Sequence, residues 1–201
     1  MSKVYASNII DLYQRNAKAW DDCRGRSLFE KSWLDRFGAL LPRSASVIDI
    51  GCGAGEPITG YLISRGFAVT GVDSAPAMIE RCVARFPSAE FYVADMRALA
   101  LQRRFGGLIA WDSFFHLTAD DQRAMFPIFA AHAVEGAALL FTSGPQHGEA
   151  IGTFAGEPLY HASLDPTEYR ALLDAAGFDV VEAASEDPRC GGHTVWLARK
   201  R

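Results

Sequence analysis

Val47-Ile48-Asp49-Ile50-Gly51-Cys52-Gly53-Ala54-Gly55 decides how this chain is read. Val47 to Ile50 suit the middle of a parallel sheet covered on both faces. The strand carries an acid, Asp49, near its end and breaks into glycines at alternate positions, Gly51, Gly53 and Gly55. A turn of that composition bends sharply and leaves bare peptide for a ligand to lie against. Glu56-Pro57-Ile58-Thr59-Gly60-Tyr61-Leu62-Ile63 follows with a helical pattern, Pro57 falling in the first turn where a missing N–H costs nothing. Strand, glycine turn and helix together form a site into which helix N–H groups point.

Spacing narrows the ligand. A dinucleotide fingerprint is G-x-G-x-x-G, with the third glycine beside a pyrophosphate. Here that glycine comes one position early, and Glu56 stands where the dinucleotide pattern wants glycine. A carboxylate there repels a pyrophosphate. The order acidic-x-G-x-G-x-G resembles motif I of class I S-adenosylmethionine-dependent methyltransferases. The resemblance implies that Asp49, Gly51, Cys52, Gly53 and Gly55 pass beneath the methionine part of that cofactor.

The following segments extend the resemblance over roughly Pro42 to Arg201. Phe67-Ala68-Val69-Thr70-Gly71-Val72-Asp73 is a second apolar strand ending in an acid. A carboxylate at such a strand tip accepts from both ribose hydroxyls. Ser74-Ala75-Pro76-Ala77-Met78 opens the next helix with Ser74 as its N-cap, and the resemblance sets Met78 on the adenine. A third strand, Glu90 to Ala94, runs into Asp95-Met96, which by resemblance meet the adenine amino group and ring. A fourth, Gly107 to Ala110, leads into Trp111-Asp112-Ser113-Phe114-Phe115-His116-Leu117, the family's variable motif at the mouth of the transfer site.

Taken alone, several of these residues have plainer roles. Asp95 suits a turn or a helix cap. Cys52 reads as a small filler without a neighbouring base, Met78 as core, and Trp111 with Phe114-Phe115 as closure of the sheet edge. His116 stands out because a histidine in an apolar run needs a partner, and contact with substrate or cofactor is one way to supply it.

Composition bounds the function classes. At 201 residues and 49% hydrophobic, the chain buries a full core without disulfides or metal. Formal charge is −4, and the one cationic run is Arg199-Lys200-Arg201, so no basic surface for nucleic acid is visible. The four cysteines lie far apart with no C-x-x-C pair, which suggests neither zinc nor a disulfide framework. The polar N-terminal segment does not read as a signal peptide, and no apolar run approaches transmembrane length. The expectation is a cytoplasmic monomer or homodimer, with no nucleic-acid or membrane partner and no metal.

Residues 1–41 are helical in period, with Val4, Ile9, Leu12 and Tyr13 on one stripe and Leu28, Trp33, Leu34 and Phe37 on another. The polar stretch Arg15 to Arg26 lies between them. By resemblance to small-molecule methyltransferases, 1–41 form a lid over the cofactor, and 42–201 form the methyltransferase domain. Tyr13, Trp20 and Arg24 are then its contacts, Arg24 facing the methionine carboxylate and an aromatic face near the sulfonium. Packing on the sheet edge is the alternative for Tyr13 and Trp20.

Farther on, Ala119 to Val134 predicts a helix kinked at Pro127. Ala137 to Thr142 is a fifth strand, and Asp165-Pro166-Thr167-Glu168 caps a helix that Gly177 closes. Phe178–Val181 and His193–Ala198 read as two last strands. Between strand five and the capped helix lies a glycine-rich segment, Ser143 to Leu164, read as a functional loop at the carboxyl ends of the strands. In it Tyr160-His161 are the candidates for proton handling and Glu157 for orienting a cationic substrate, against a plain anchor role for Tyr160.

The predicted fold is an α/β, Rossmann-like, seven-stranded, mostly parallel sheet with helices on both faces and a C-terminal antiparallel hairpin. The predicted function is S-adenosylmethionine-dependent methyl transfer to a small-molecule acceptor by in-line displacement. The alternatives are a nicotinamide-dependent oxidoreductase and a non-catalytic S-adenosylmethionine-binding module.

Overall fold

The structure, a computed structural model, describes residues Ser2–Arg201. Three helices open the chain: α1 (Ser2–Ser7), α2 (Ile9–Arg24) and α3 (Lys31–Ala39). Strand β1 (Ser46–Ile50), helix α4 (Ile58–Ser64), β2 (Ala68–Asp73), α5 (Pro76–Arg85), β3 (Glu90–Val93) and β4 (Phe105–Ala110) follow in right succession for a doubly wound sheet. Then come α6 (Ala119–His132), β5 (Ala133–Ser143), β6 (Gly148–Phe154), β7 (Glu157–Ser163), α7 (Pro166–Ala175), β8 (Phe178–Asp187) and β9 (His193–Lys200).

The main sheet runs in the order β3-β2-β1-β4-β5-β9-β8. Its first five strands pair in parallel, while β9 is antiparallel to both β5 and β8. The predicted architecture is therefore the observed one. From β1 the chain crosses to β2 on one side and later to β4 on the other, which opens a crevice at the carboxyl ends of β1 and β4.

Strand periodicity explains the two cores. Ile48, Ile50, Leu108, Ala110, Leu139, Phe141, Trp196 and Ala198 face one side, against α6 and α7. Val47, Ile109, Ala138, Leu140, Val195 and Leu197 face the other, against Trp33, Leu34 and Phe37 of α3 and Leu62 of α4. Both faces are covered, so the central strands read as continuous apolar runs. Each fully buried Leu, Ile or Phe contributes about 1.5–3 kcal/mol relative to exposure.

Several expectations shift. Ser143–Leu164 is not a loop: β6 and β7 form a separate antiparallel hairpin from Gly148 to Ser163. Its glycines hid the alternation that marks a strand. Helix α6 runs unbroken through Pro127 and ends at His132, so β5 begins earlier than predicted. Pro57 precedes α4 as its cap rather than lying inside it, and Ala75, not Ser74, holds the cap position of α5. Val4 is exposed, and Asp21, in the stretch too polar to be core, is buried.

Candidate active site

The crevice is a cavity of about 490 Å³, within the range of ~300–1,000 Å³ usual for ligand sites. Its floor is the glycine turn. Gly51 has φ +77°, and a Cβ there would fall 2.2 Å from that of Ser113, whose Oγ donates to the Ile50 carbonyl at 2.7 Å. Gly53, at φ +53°, lies under the indole of Trp20: a Cβ would sit 3.4 Å from Trp20 Nε1. Helix α2 thus covers the turn, and a side chain at Gly53 would fill the space between them.

Asp73, at the tip of β2, lines the cavity. Its Oδ2 accepts from the Gly53 N–H at 3.0 Å and its Oδ1 from the Ala75 N–H at 2.9 Å. Each oxygen retains a lone pair for a ligand donor. Burial raises its pKa, and the backbone N–H groups pull against that. Ser74, the buried Met78, and Asp95 and Met96 beyond β3 continue the wall. Asp95 caps the 3₁₀ turn Met96–Ala98 and accepts from Arg97, which holds its pKa below the usual carboxylate range.

Asp49 lies deeper. It lines a small cleft behind the glycine turn with Trp20, Arg24, Cys52, Trp111 and Asp112. Burial pushes its pKa up to about 6, although the Thr59 hydroxyl donates to it at 2.6 Å. Arg24 reaches this cleft already paired with buried Glu30 at 2.7 Å. Cys52 turns its Sγ toward Cys82, 4.0 Å away, and toward the Gly53 carbonyl, so it faces protein and not the cavity centre. Gly55, at φ +82°, ends the turn against Phe86 and Cys82. Trp111 stacks on His193 with centroids 5.7 Å apart, and Asp112 pairs with His193 Nε2 at 3.0 Å. That carboxylate raises the pKa of His193.

Above the floor, His116 joins three elements. Its Nδ1 donates to the Tyr160 carbonyl at 2.8 Å, because a carbonyl can only accept. Its Nε2 therefore carries the lone pair and accepts the Tyr13 hydroxyl at 2.9 Å. Burial lowers the His116 pKa to about 4, so the ring is neutral at physiological pH. Burial likewise raises that of Tyr13, a phenol with a fixed donor direction.

The structure brings together Tyr13, Trp20, Gly51, Gly53, Asp73, Ser74, Met78, Asp95, Met96, Asp112 and His116 in one cavity wall. It sets Tyr160 and His161 apart from that wall. The Tyr160 side chain is fully buried, and its hydroxyl donates to Glu149 at 2.8 Å. His161 packs on Phe115 and His116, at 5.2 and 4.9 Å between centroids, and lines a neighbouring groove under the hairpin. Glu157 accepts from Arg15 at 2.7 Å and Asn16 at 3.1 Å, so it latches the hairpin to α2.

The sequence placed Ser113 and Leu117 at the mouth of the site only as members of the motif after β4; it passed over Thr118 and Asp121 of the wall, and it missed Asp21. Asp21 accepts from Arg26, Arg81 and Arg85 and ties α2 to α5. Arg81 and Arg85, one turn apart on α5, are a cationic pair in search of an acid, and they were the available signal.

Residues 47–136 match the model of a methyltransferase domain. Over 68 residues the chain is 44% identical to a trans-aconitate 2-methyltransferase of Paracidovorax citrulli, covering 32% of this chain and 26% of that protein. A second, from Variovorax paradoxus, is 31% identical over 99 residues, covering 48% of this chain and 38% of its own length. The chain thus spans less than two fifths of the curated relatives it matches. Among solved structures, the Burkholderia thailandensis 1,6-didemethyltoxoflavin-N1-methyltransferase superposes with a TM-score of 0.77 at 21% identity, covering 100% of this chain and 90% of that one. Residues 47–136 thus carry the match to a methyltransferase domain, and the whole chain shares its fold with a methyltransferase solved with S-adenosylhomocysteine.

Proposed function

We propose that this protein binds S-adenosylmethionine in the crevice and transfers its methyl group to a small molecule. Asp73 is the observation that carries this reading: a buried carboxylate at the β2 tip, oriented by two backbone N–H groups and open to a ribose diol. The turn contains no Lys or Arg of its own, Arg24 and Arg85 beside it are paired with Glu30 and Asp21, and Asp49 and Glu56 flank it with negative charge, which disfavours a nicotinamide dinucleotide.

When bound, S-adenosylmethionine supplies a methyl group activated by a sulfonium. Gly51, Gly53 and Gly55 give the methionine portion room, with Cys52 holding the turn from below. Asp49, Asp112 and Arg24 surround that portion with charge, and Trp20 and Trp111 wall it. Ser74, Met78, Asp95 and Met96 embrace the adenosine. Residues 1–41 act as the lid of the domain formed by 42–201; α1 and α2 cover the cavity while α3 anchors them in the core. Tyr13 and His116 orient the acceptor, and Tyr160 acts through its carbonyl on His116. His161 backs His116 from the hairpin side. Alignment of two reactants in this way supplies about 7–11 kcal/mol of a transfer barrier.

Among the described residues no helix is long and apolar enough to cross a membrane. With a formal charge of −4 and no basic surface, we read the protein as a cytoplasmic monomer or homodimer acting on no nucleic acid. Isothermal titration with S-adenosylhomocysteine and with NAD tests the reading. The first should bind, the second should not, and Asp73→Asn should weaken the first at least tenfold, since a hydrogen bond to a charged group is worth about 1.5–3 kcal/mol. NAD binding with no response to S-adenosylhomocysteine would overturn it.

A further inference from the structure

Away from the strand tips the cavity is lined by Ile9, Ile10, Tyr13, His116, Leu117 and Glu149. Apart from Arg97 Nη1, the side-chain donors around this half are already spent within the protein. Tyr13 donates to His116, His116 to the Tyr160 carbonyl, and Ser113 to the Ile50 carbonyl. Thr118 donates to Asp121 at 2.9 Å, and the Tyr160 hydroxyl to Glu149 Oε1. Arg97 is held on Asp95 through Nε and Nη2, while its Nη1 lies 3.8 Å from Asp121. Trp20 and Ser74 keep a donor each, but Trp20 lies on the glycine turn and Ser74 beside Asp73, in the cofactor half.

What otherwise remains toward an acceptor molecule is lone pairs. Tyr13 Oη, having given its proton to His116 Nε2, offers its oxygen to the cavity. Glu149 keeps Oε2, since Tyr160 takes Oε1. The first turn of α6 exposes backbone N–H groups that would otherwise draw an anion, but Asp120 and Asp121 occupy that same turn. A polycarboxylate would meet one free side-chain donor, Arg97 Nη1, itself set between Asp95 and Asp121, and the like charges of Asp120, Asp121 and Glu149.

We infer that the methyl acceptor is an amine on an apolar body, its N–H groups held by Tyr13 Oη and Glu149 Oε2 and its body against Ile9, Ile10 and Leu117. The inference rests on the methyltransferase reading and names the substrate class for the same site. It sets this chain apart from the relatives named for trans-aconitate, a polycarboxylate. In the transfer, the lone pair of the neutral amine forms the N–C bond and the S–C bond breaks with its electrons going to sulfur. The methylammonium so formed gives its proton to solvent through the Glu149 carboxylate, and an acceptor that binds as an ammonium first loses one proton by the same route.

The test uses the full chain saturated with S-adenosylhomocysteine and titrated by calorimetry with benzylamine, cyclohexylamine and 1,4-diaminobutane, and in parallel with trans-aconitate. At least one amine should bind and trans-aconitate should not. Glu149→Gln, which keeps an oxygen for the Tyr160 hydroxyl, should weaken the amine at least tenfold while leaving S-adenosylhomocysteine affinity within twofold. Binding of trans-aconitate, or of no amine in the series, overturns the substrate class while leaving the methyltransferase reading intact. An amine affinity that Glu149→Gln does not change overturns the assigned contact. Failure of S-adenosylhomocysteine to bind the free protein overturns the methyltransferase reading itself, and the inference with it.

Discussion

Asp49 shows what a single buried charge costs and why it is kept. It lies 3% exposed behind the glycine turn with one hydroxyl partner, and burial sets its folded pKa near 6 against an ordinary value of 3.8. A raised folded pKa contributes stability that is present below 3.8 and lost as pH rises through 6. At neutral pH the ligand-free protein therefore carries the full cost. Asp49→Asn keeps an oxygen for Thr59 and removes the charge, so it should stabilise the ligand-free protein at pH 7.5 by about 1–3 kcal/mol. At pH 4 the gain should vanish. Urea denaturation at the two pH values checks this; equal effects at both would show that the carboxylate is already neutral or well solvated. The same variant should bind S-adenosylhomocysteine more weakly, a stability–function exchange expected where a site is built on a strained charge.

At the scale of elements, α2 is held over the site by polar links at its middle and near its C-terminus. Near its middle, Asn16 leaves helical geometry (φ −109°, ψ 17°) and donates to the Leu12 carbonyl at 3.0 Å and to Glu157 of the hairpin. A side chain competing for the backbone in this way bends a helix. Near the C-terminus, Asp21 gathers Arg26, Arg81 and Arg85; burial pushes its pKa up, but Arg85 and Arg26 outweigh it and hold it below the usual carboxylate range. Since Trp20 sits beside Asp21 and covers Gly53, the latch positions α2 over the glycine turn. Asp21→Ala should cost about 1–3 kcal/mol, limited because the freed arginines reach water. Amide exchange should rise along α2 while the β1 and β4 strands stay protected, and S-adenosylhomocysteine should bind several-fold more weakly. Unchanged exchange in α2 would show that apolar contacts at Leu12 and Ala17 alone dock the helix.

For the whole molecule, His116 is where α2, the 3₁₀ turn after β4 and the hairpin meet. Its folded pKa of about 4 lies below the ordinary 6.5, so the neutral ring stabilises the fold above pH 6.5 and that share falls away as pH drops toward 4. The stability of wild type minus that of His116→Gln should shrink by up to about 3 kcal/mol between pH 7 and pH 4. Asp49 pulls the other way over the same window, but it is common to both proteins and cancels in the difference. A difference that stays flat across this range would mean that water reaches the ring.

Local chemistry in the chain was sufficient for the frame and half of the site. Val47–Ile50, Phe67–Asp73 and Ala137–Thr142 declare buried strands because both faces are covered, and Asp73, at the tip of the second, falls at the crevice by topology alone. Gly51 and Gly53 were legible because the turn needs positive φ and space that no side chain leaves. Tertiary structure decided what depends on partners distant in sequence. The hairpin was hidden because Gly148, Gly152 and Gly156 interrupt its alternation, and its strands are stabilised by each other across the turn. Tyr160 read as a proton handler, but its hydroxyl is spent on Glu149 eleven residues away, and its part in the site passes through its carbonyl to His116. Glu157, expected to face a substrate, answers Arg15 and Asn16 instead. Backbone preference and apolar period are properties of neighbours in the chain. Which donors are spent and which lone pairs remain is settled only when helix, strand and hairpin close on one another, and that balance decides what the cavity can hold.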